Sequence, residues 1–383
     1  MKRKSQPRRN QERFEKVKII RTREFQGTAT VSRIKTQHSR IEVNHRLVHM
    51  IERRLHCLPH QFKRVHQHLQ RHPHRYLSAA AAYGSLDAWA ILPVHKHRTL
   101  MNKIHSSVND VCFGPQHEYV LTASQNGQFT WYDSSFKFEL VFAGSDTSIQ
   151  KMRWNRERSR LLTCHVDGKV KLYANRSLNE VCEATTEQRL FDVAFSPTCG
   201  KFAVAGENVF VFDTGAFTLE HTFERDHGYD TKKVAWHDTR SLLATCGANQ
   251  GVRLLDPRCR QSIATITEHT QNAAAVEWVG EHFFVSGGKD KIVNYVDVRT
   301  RRCFRSIEGA PAGVTALRRH PTHMNTLVVG CFDGSHGFLI DQEPAHMVKH
   351  HRLAVTQIAF HPLAHFMLTS SRDGSVAVHR QHT

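Results

Sequence analysis

Histidine and aspartate recur in this chain at spacings where acid–base chemistry could be sought. His227, His269 and His351 each stand nine residues before a bulky residue that ends an apolar run, at Trp236, Trp278 and Phe360. Asp167, Asp290, Asp333 and Asp373 stand 12–14 residues after such an end position, at Trp154, Trp278, Arg319 and Phe360. An imidazole oriented by a carboxylate is half of a relay that activates a nucleophile. A catalytic constellation occurs once in a chain, however, and these pairs return at a fixed interval, as a packing device does. A second group, His60, His66, His68, His72 and His74, brings the commonest metal ligand together. It has no cysteine or carboxylate at ligand spacing, and Lys63, Arg64, Arg71 and Arg75 would repel a cation. Gly287-Gly288-Lys289 resembles a fragment of a phosphate loop but falls in a turn that needs glycine for its own sake. No nucleophile motif or metal-ligand set appears elsewhere, so neither enzymatic activity, cofactor, metal nor small-molecule substrate is expected.

The elements that must position these residues are short hairpins. In Leu161–Tyr173 (LLTCHVDGKVKLY) two apolar runs flank Asp167-Gly168, a dipeptide that supplies a tight turn at little steric cost. Val170 and Leu172 alternate with Lys169 and Lys171, the period of a half-buried strand. Related hairpins occupy Leu121–Asp133, Leu242–Asp256, Phe283–Asp297, Leu327–Asp341 and Phe366–Arg380, and Phe202–Asp213 is a shortened copy without its turn glycine. Each follows a further strand, ending at Phe113, Trp154, Phe195, Trp236, Trp278, Arg319 or Phe360, and the spacings are 41, 41, 41, 42, 41 and 41 residues. Seven units of several strands at this period specify an all-β, seven-bladed WD40 β-propeller. There the recurrent histidines and turn aspartates form a structural hydrogen-bond network. The last repeat ends at Arg380, so blade seven needs a fourth strand, and His97–Lys103 is the candidate that closes the ring.

Charge divides the chain. It carries 53 Lys+Arg against 35 Asp+Glu, but residues 1–76 alone hold 20 against 5, which leaves 33 against 30 for the remainder. A cationic appendage on a near-neutral ring points to a polyanionic partner. Nine isolated cysteines without a Cys-x-x-Cys pair argue for a reducing compartment. The charged N-terminus lacks a signal-peptide core, and no apolar run approaches the ~18 residues of a membrane span. Residues 1–40 read as a basic, disordered arm suited to nuclear import or phosphate binding. Residues 41–96 hold an amphipathic helix, with Leu47, Val48, Ile51, Leu55 and Leu58 on one stripe, followed by a linker. The propeller takes 97–383.

Particular segments resemble one family of rings. Gly127–Tyr132 (GQFTWY), Phe136–Leu140 (FKFEL), Asp146–Trp154 (DTSIQKMRW), Phe195–Ala203 (FSPTCGKFA) and His361–Val376 look like the WD40 subunit of the cleavage and polyadenylation specificity factor, called polyadenylation factor subunit 2 in fungi. Arg40–Asn44 is similar to the segment that precedes that family's ring. The likeness is strongest in the first two repeats and looser in blades three to five. It implies a nuclear scaffold that joins a large propeller scaffold subunit and a zinc-finger subunit to bind the polyadenylation signal of pre-mRNA. It implies further that Phe25, in the N-terminal Phe-x-Gly, and Phe138, in the Phe-x-Phe after the first repeat, sandwich bases. Aromatic faces grip unstacked single-stranded bases at ~1–3 kcal/mol each. One departure is visible: the family's Lys/Arg cluster after Phe-x-Gly is replaced by Thr28-Ala29-Thr30-Val31, with Arg33 and Lys35 following. Phosphate attraction by charge count survives such a shift better than base-specific positioning does. The long C-terminal extension of animal members has no counterpart, so contacts made there are not expected. Other WD40 rings serve as ubiquitin-ligase substrate receptors or ribosome-biogenesis factors, and the fold by itself does not choose among these roles.

Overall fold

The computed structural model describes the chain from position 93 to 380, apart from 94 and the short stretches 102–105, 116–118, 134–135, 137–138, 175–177, 225–227, 229, 322–324 and 362–365. The arm at 1–40 and the helix expected within 41–96 lie outside the described residues. What is described is all strand and turn: seven four-stranded antiparallel sheets, each a blade. Blades one to six span 108–143, 149–185, 192–223, 231–266, 273–307 and 314–349, and blade seven spans 355–380.

The inner strands are Val108–Phe113, Ile149–Trp154, Asp192–Phe195, Thr231–Trp236, Ala273–Trp278, Val314–Arg319 and Val355–Phe360. All seven end on the repeat positions read from the sequence. Each touches the inner strand of the next blade, and the last touches the first, so the blades form a closed ring. The fourth strand of blade seven comes from the other end of the repeat array: His95–Met101 runs antiparallel to Ser375–Arg380, with Leu100 opposite Val376. It begins two residues before the expected segment. Both open sheet edges disappear at this seam.

Covering each sheet on both faces explains its burial pattern. Second strands such as Tyr119–Ser124 and Thr326–Cys331 are buried at every position. The outermost strand Arg302–Ile307 is largely exposed. Apolar side chains gather into seven clusters, one at each junction between neighbouring blades. Between blades one and two, Phe129 and Trp131 meet Ile149, Met152, Leu161 and Tyr173. Across the closing seam, Leu100, Val376 and Val378 meet Val108 and Val111.

The turn of the founding hairpin shows why glycine is required there. Gly168 has φ +86°, and a Cβ at this position would collide with the carbonyl oxygen of Thr186. The Gly168 carbonyl in turn accepts from the Thr186 amide at 2.8 Å, binding the hairpin to the loop that leads into blade three. The blade-three hairpin has no counterpart of this positive-φ glycine. Gly206 opens its short turn, where its amide donates to the Asn208 carbonyl at 2.9 Å.

The seam yields the first expectation. Leu100→Ala should cost about 2–5 kcal/mol, as for other buried leucines, whereas Thr99→Ala on the exposed side of the same strand should stay within about 0.5 kcal/mol. Urea unfolding of both variants measures this, and equal effects would contradict closure by Leu100.

Candidate functional sites

Blade five contains the complete histidine–aspartate unit. His269 and Asp290 are both buried at the side chain, with Nδ1 and Oδ2 3.0 Å apart. His269 Nε2 meets Ser286 Oγ at 2.9 Å. Asp290 also accepts the amides of Thr270 at 2.9 Å and Ile292 at 3.2 Å. One carboxylate therefore ties the entry loop of the blade to its hairpin turn. Blade seven joins the same residue types indirectly. His351 Nδ1 is 3.9 Å from Asp373 but 2.7 Å from Ser375 Oγ, and the Ser375 hydroxyl donates to Asp373. His351 Nε2 meets Thr369 Oγ1 at 2.8 Å. Burial lowers the pKa of His351 to about 4 despite the opposing charge of Asp373, so its ring is neutral at pH 7.

The other two turn aspartates serve their own turns. Asp333 accepts the amide and the hydroxyl of Ser335 at 3.0 and 2.5 Å, and Ala310 occupies the place where its blade would carry a histidine. Asp167 accepts the Lys169 amide at 3.3 Å, and Ser145 occupies the corresponding place in blade two. His227 lies outside the described residues. The arrangement at His269 has no room for a substrate, since every polar atom of the pair faces protein.

A second constellation lines the channel, and sequence reasoning missed it. Three residues before the strand end, blades one to four carry Asp110, Lys151, Asp192 and Lys233, in alternating sign. Asp110 is wholly buried. It accepts the Val111 amide at 3.0 Å and, from the next blade, the Met152 amide at 2.6 Å and Arg153 Nη1 at 3.0 Å. Asp192 repeats the pattern on the Val193 amide at 3.0 Å and the Val234 amide of blade four at 3.3 Å. Arg153 Nη2 reaches it at 3.4 Å. Burial opposes the charge on Arg153, yet Asp110 and Asp192 hold its pKa above the ordinary value. Lys151 donates to the Asn109 and Thr356 carbonyls at 3.0 and 2.9 Å, and burial lowers its pKa to about 7 against the pull of Asp110. The signal is present in the repeat register, at the same offset from each strand end.

Around this network opens a cavity of about 450 Å³ lined by Trp154, Phe195, Trp236 and Trp278 together with charged side chains. Several of its cations are already engaged: Arg318 with Glu277 at 3.4 Å, and Arg153 as above. At its rim Arg319 pairs with Asp238 at 2.6 Å. The mouth is aromatic, and its four cations (Arg153, Arg156, Lys233 and Arg318) exceed its three carboxylates (Asp192, Asp238 and Glu277) by one, a small net attraction for a polyanion.

Comparison with known proteins fits this geometry. The model of the WD domain, G-beta repeat, matches residues 97–133 and 342–380, the two stretches that meet at the closing seam. Polyadenylation factor subunit 2 of Gibberella zeae is 27% identical over 188 residues, covering 48% of this chain and 31% of that one. The Candida albicans protein of the same name is 24% identical over 309 residues, covering 71% of this chain and 56% of its own. With WD40 repeats and curated relatives of that name at 24–27% identity, the chain is similar to the polyadenylation factor subunit 2 family as a divergent WD40 protein. It spans from about a third to about half of the length of these curated relatives. WD repeat-containing protein 90 of Homo sapiens is 27% identical over 177 residues, covering 44% of this chain and 10% of that protein. A solved structure titled "Crystal Structure of Mitotic Checkpoint Complex" contains a chain that superposes with a TM-score of 0.68. It shares 17% identity and covers 76% of this chain and 93% of the other, a likeness of fold.

Phe25 and Phe138, the positions matched to the aromatics of the polyadenylation factor subunit 2 family in the RNA reading, and the cationic Arg33 and Lys35 all lie outside the described residues. The described neighbour Phe136 is buried, has φ 56° and sets its ring edge-on to Phe366 of blade seven at 6.3 Å. Phe136 thus packs against blade seven.

Two outcomes follow from these sites. Asp110→Ala leaves the Met152 amide without its acceptor and Arg153 with Asp192 as its remaining carboxylate, and should cost about 3–5 kcal/mol, read as a fall in the urea midpoint. An unchanged midpoint would remove Asp110 from the role of joining blades. The buried imidazoles make the fold acid-sensitive above the carboxylate range. Burial lowers His165 and His336 to about 3 and His351 to about 4 from an ordinary 6.5. Between pH 6.5 and 4 the unfolded chain holds more protons on these groups, so stability falls as pH falls through that window. His165→Gln should flatten the fall, and a stability independent of pH from 7 to 5 would contradict neutral burial.

Proposed function

We propose that this protein is a non-catalytic subunit of the nuclear machinery that cleaves and polyadenylates pre-mRNA 3′ ends, acting as a platform that also contacts RNA. The observation that carries this reading is the alignment with relatives named polyadenylation factor subunit 2. The distribution of charge supports it: residues 77–383 carry 33 Lys+Arg against 30 Asp+Glu, so most of the attraction for a nucleic acid falls to the cationic N-terminal segment. In this reading Phe25 and Phe138 stack on bases while Arg33 and Lys35 hold phosphates. The segment at 41–96 joins the ring to a large propeller scaffold subunit, and a zinc-finger subunit completes the RNA surface. Among the described residues no helix is long and apolar enough to cross a membrane.

Affinity purification of the full chain after crosslinking is the test, with both bound proteins and bound RNA identified. Scaffold and zinc-finger partners with pre-mRNA 3′ ends are expected. Phe25→Ala combined with Phe138→Ala should reduce RNA crosslinking at least tenfold, since two stacked bases are worth ~2–6 kcal/mol, while leaving the melting temperature within a few degrees. Recovery of cullin components without RNA, or of pre-ribosomal RNA and proteins, would replace this reading with a ubiquitin-ligase receptor or a ribosome-biogenesis factor.

A further inference from the structure

Strand alternation sends two sets of side chains into the junction between blades six and seven. In Ser335–Ile340 of blade six, Phe338 and Ile340 pack against Val355, Ile358 and Met367 of blade seven, so His336 faces the same way. In Ser375–Arg380, Val376 and Val378 pack toward blade one, so Ser375, Ala377 and His379 face blade six. His350 enters the junction from the end of the outer strand of blade six. The result is three histidines in one place: a ring nitrogen of each lies within 4.8 Å of the others. The ring centroids are 4.6 Å apart for His336–His379 and 5.2 Å apart for His336–His350 and His350–His379.

These rings are short of partners. His336, His350 and His379 each hold a buried Nδ1 without a hydrogen-bond partner, and His336 and His379 are at most 1% exposed. An unsatisfied buried polar atom costs about 1–3 kcal/mol, so three in contact mark a place where something else completes the bonding. The hydrogen-bond chain of blade seven also fixes which nitrogen His379 presents. Asp373 only accepts, so the Ser375 hydroxyl donates to it, and Ser375 Oγ accepts from His351 Nδ1–H. Neutral His351 then accepts at Nε2 from the Thr369 hydroxyl, 2.8 Å away. Thr369 Oγ1 is left to accept from His379 Nε2–H at 3.0 Å. His379 Nδ1 therefore carries a bare lone pair.

We propose that His336, His350 and His379 bind a divalent transition ion of the zinc type between blades six and seven. Three imidazoles are a full protein ligand set for zinc with one position left for water. The relay from Asp373 to His379 is the kind of outer-shell support that holds a ligating histidine in the correct tautomer. Half-buried His350 leaves the ion a path from solvent. Tetrahedral binding at about 2.0–2.1 Å brings ligand atoms to roughly 3.3 Å from one another, so ring rotations close a gap that is at most 4.8 Å. Besides His351 of the relay, two titratable neighbours face the cluster. Lys96 lies across from His379 in the closing strand and is exposed, so its ammonium turns to water; His346 stands exposed on the outer strand of blade six. The ion would join two blades beside the seam that closes the ring.

The test uses the full chain, stripped with EDTA and titrated with Zn²⁺ against a chromophoric chelator. A parallel titration with Co²⁺ follows the visible d–d bands of a low-coordinate site. One equivalent should bind, produce those bands and raise the melting temperature by several degrees. His350→Ala should weaken binding at least a hundredfold. Thr369→Val, which removes the relay without touching a ligand, should weaken it about 10–100-fold. Replacing His60, His66, His68, His72 and His74 together by alanine should leave this equivalent in place. Lack of the Co²⁺ bands in the wild-type protein would overturn the proposal whatever the variants do. So would wild-type affinity in His350→Ala, or loss of the bound equivalent with the 60–74 histidines, and a cluster bridged by water alone gives the first of these results.

Discussion

A β-sheet ends in a row of unpaired amides and carbonyls, and a protein made of seven sheets must dispose of many such edges. The antiparallel match of His95–Met101 to Ser375–Arg380 is the constraint on which the rest depends. Inner strands can form a ring only if the first and last blades are held side by side, and this pairing holds them. It makes blade seven a composite of residues about 275 positions apart, so that the last repeat is folded only when the first is in place. Slow, non-local closure of this kind is the expected kinetic cost of such a topology.

Within the ring, each junction meets the same two demands: bury an apolar face, and satisfy the polar atoms where turns and entry loops meet. The apolar demand is met alike at all seven junctions. The polar demand is met differently from blade to blade. Blade five uses a direct imidazole–carboxylate contact, blade seven inserts Ser375, and blade six relies on serine and aspartate within one turn. Such interchange is what a structural device allows and a catalytic one forbids, because a missing proton acceptor abolishes chemistry but only weakens packing.

The channel adds a layer of electrostatics with consequences for function. Asp110 and Asp192 accept amides from the following blade while Arg153 bridges both carboxylates. Charges buried at such depth are tolerable only when paired and hydrogen-bonded, and this pairing consumes cations that could otherwise attract phosphate. The ring is left as a rigid, near-neutral body. The surplus of positive charge sits in residues 1–76, which separates the tasks of positioning and of attraction between two parts of one chain.

The chain's own order determined the repeat length, the residue ending each inner strand, the turn aspartates and the need for a closing strand. Those features are local or periodic, and a 41-residue period preserves phase over any distance. The alternating charges Asp110, Lys151, Asp192 and Lys233 were encoded at one register position, yet their meaning required inner strands to lie side by side. Phe25 and Phe138 rest on resemblance, and Arg33 and Lys35 on charge alone. Only tertiary structure decided that His336, His350 and His379 meet, since they come from different strands of two blades. Two of the three face the same junction only through the alternation of β-strands in separate sheets. Proximity of that kind is set by how sheets stack, and no linear spacing records it.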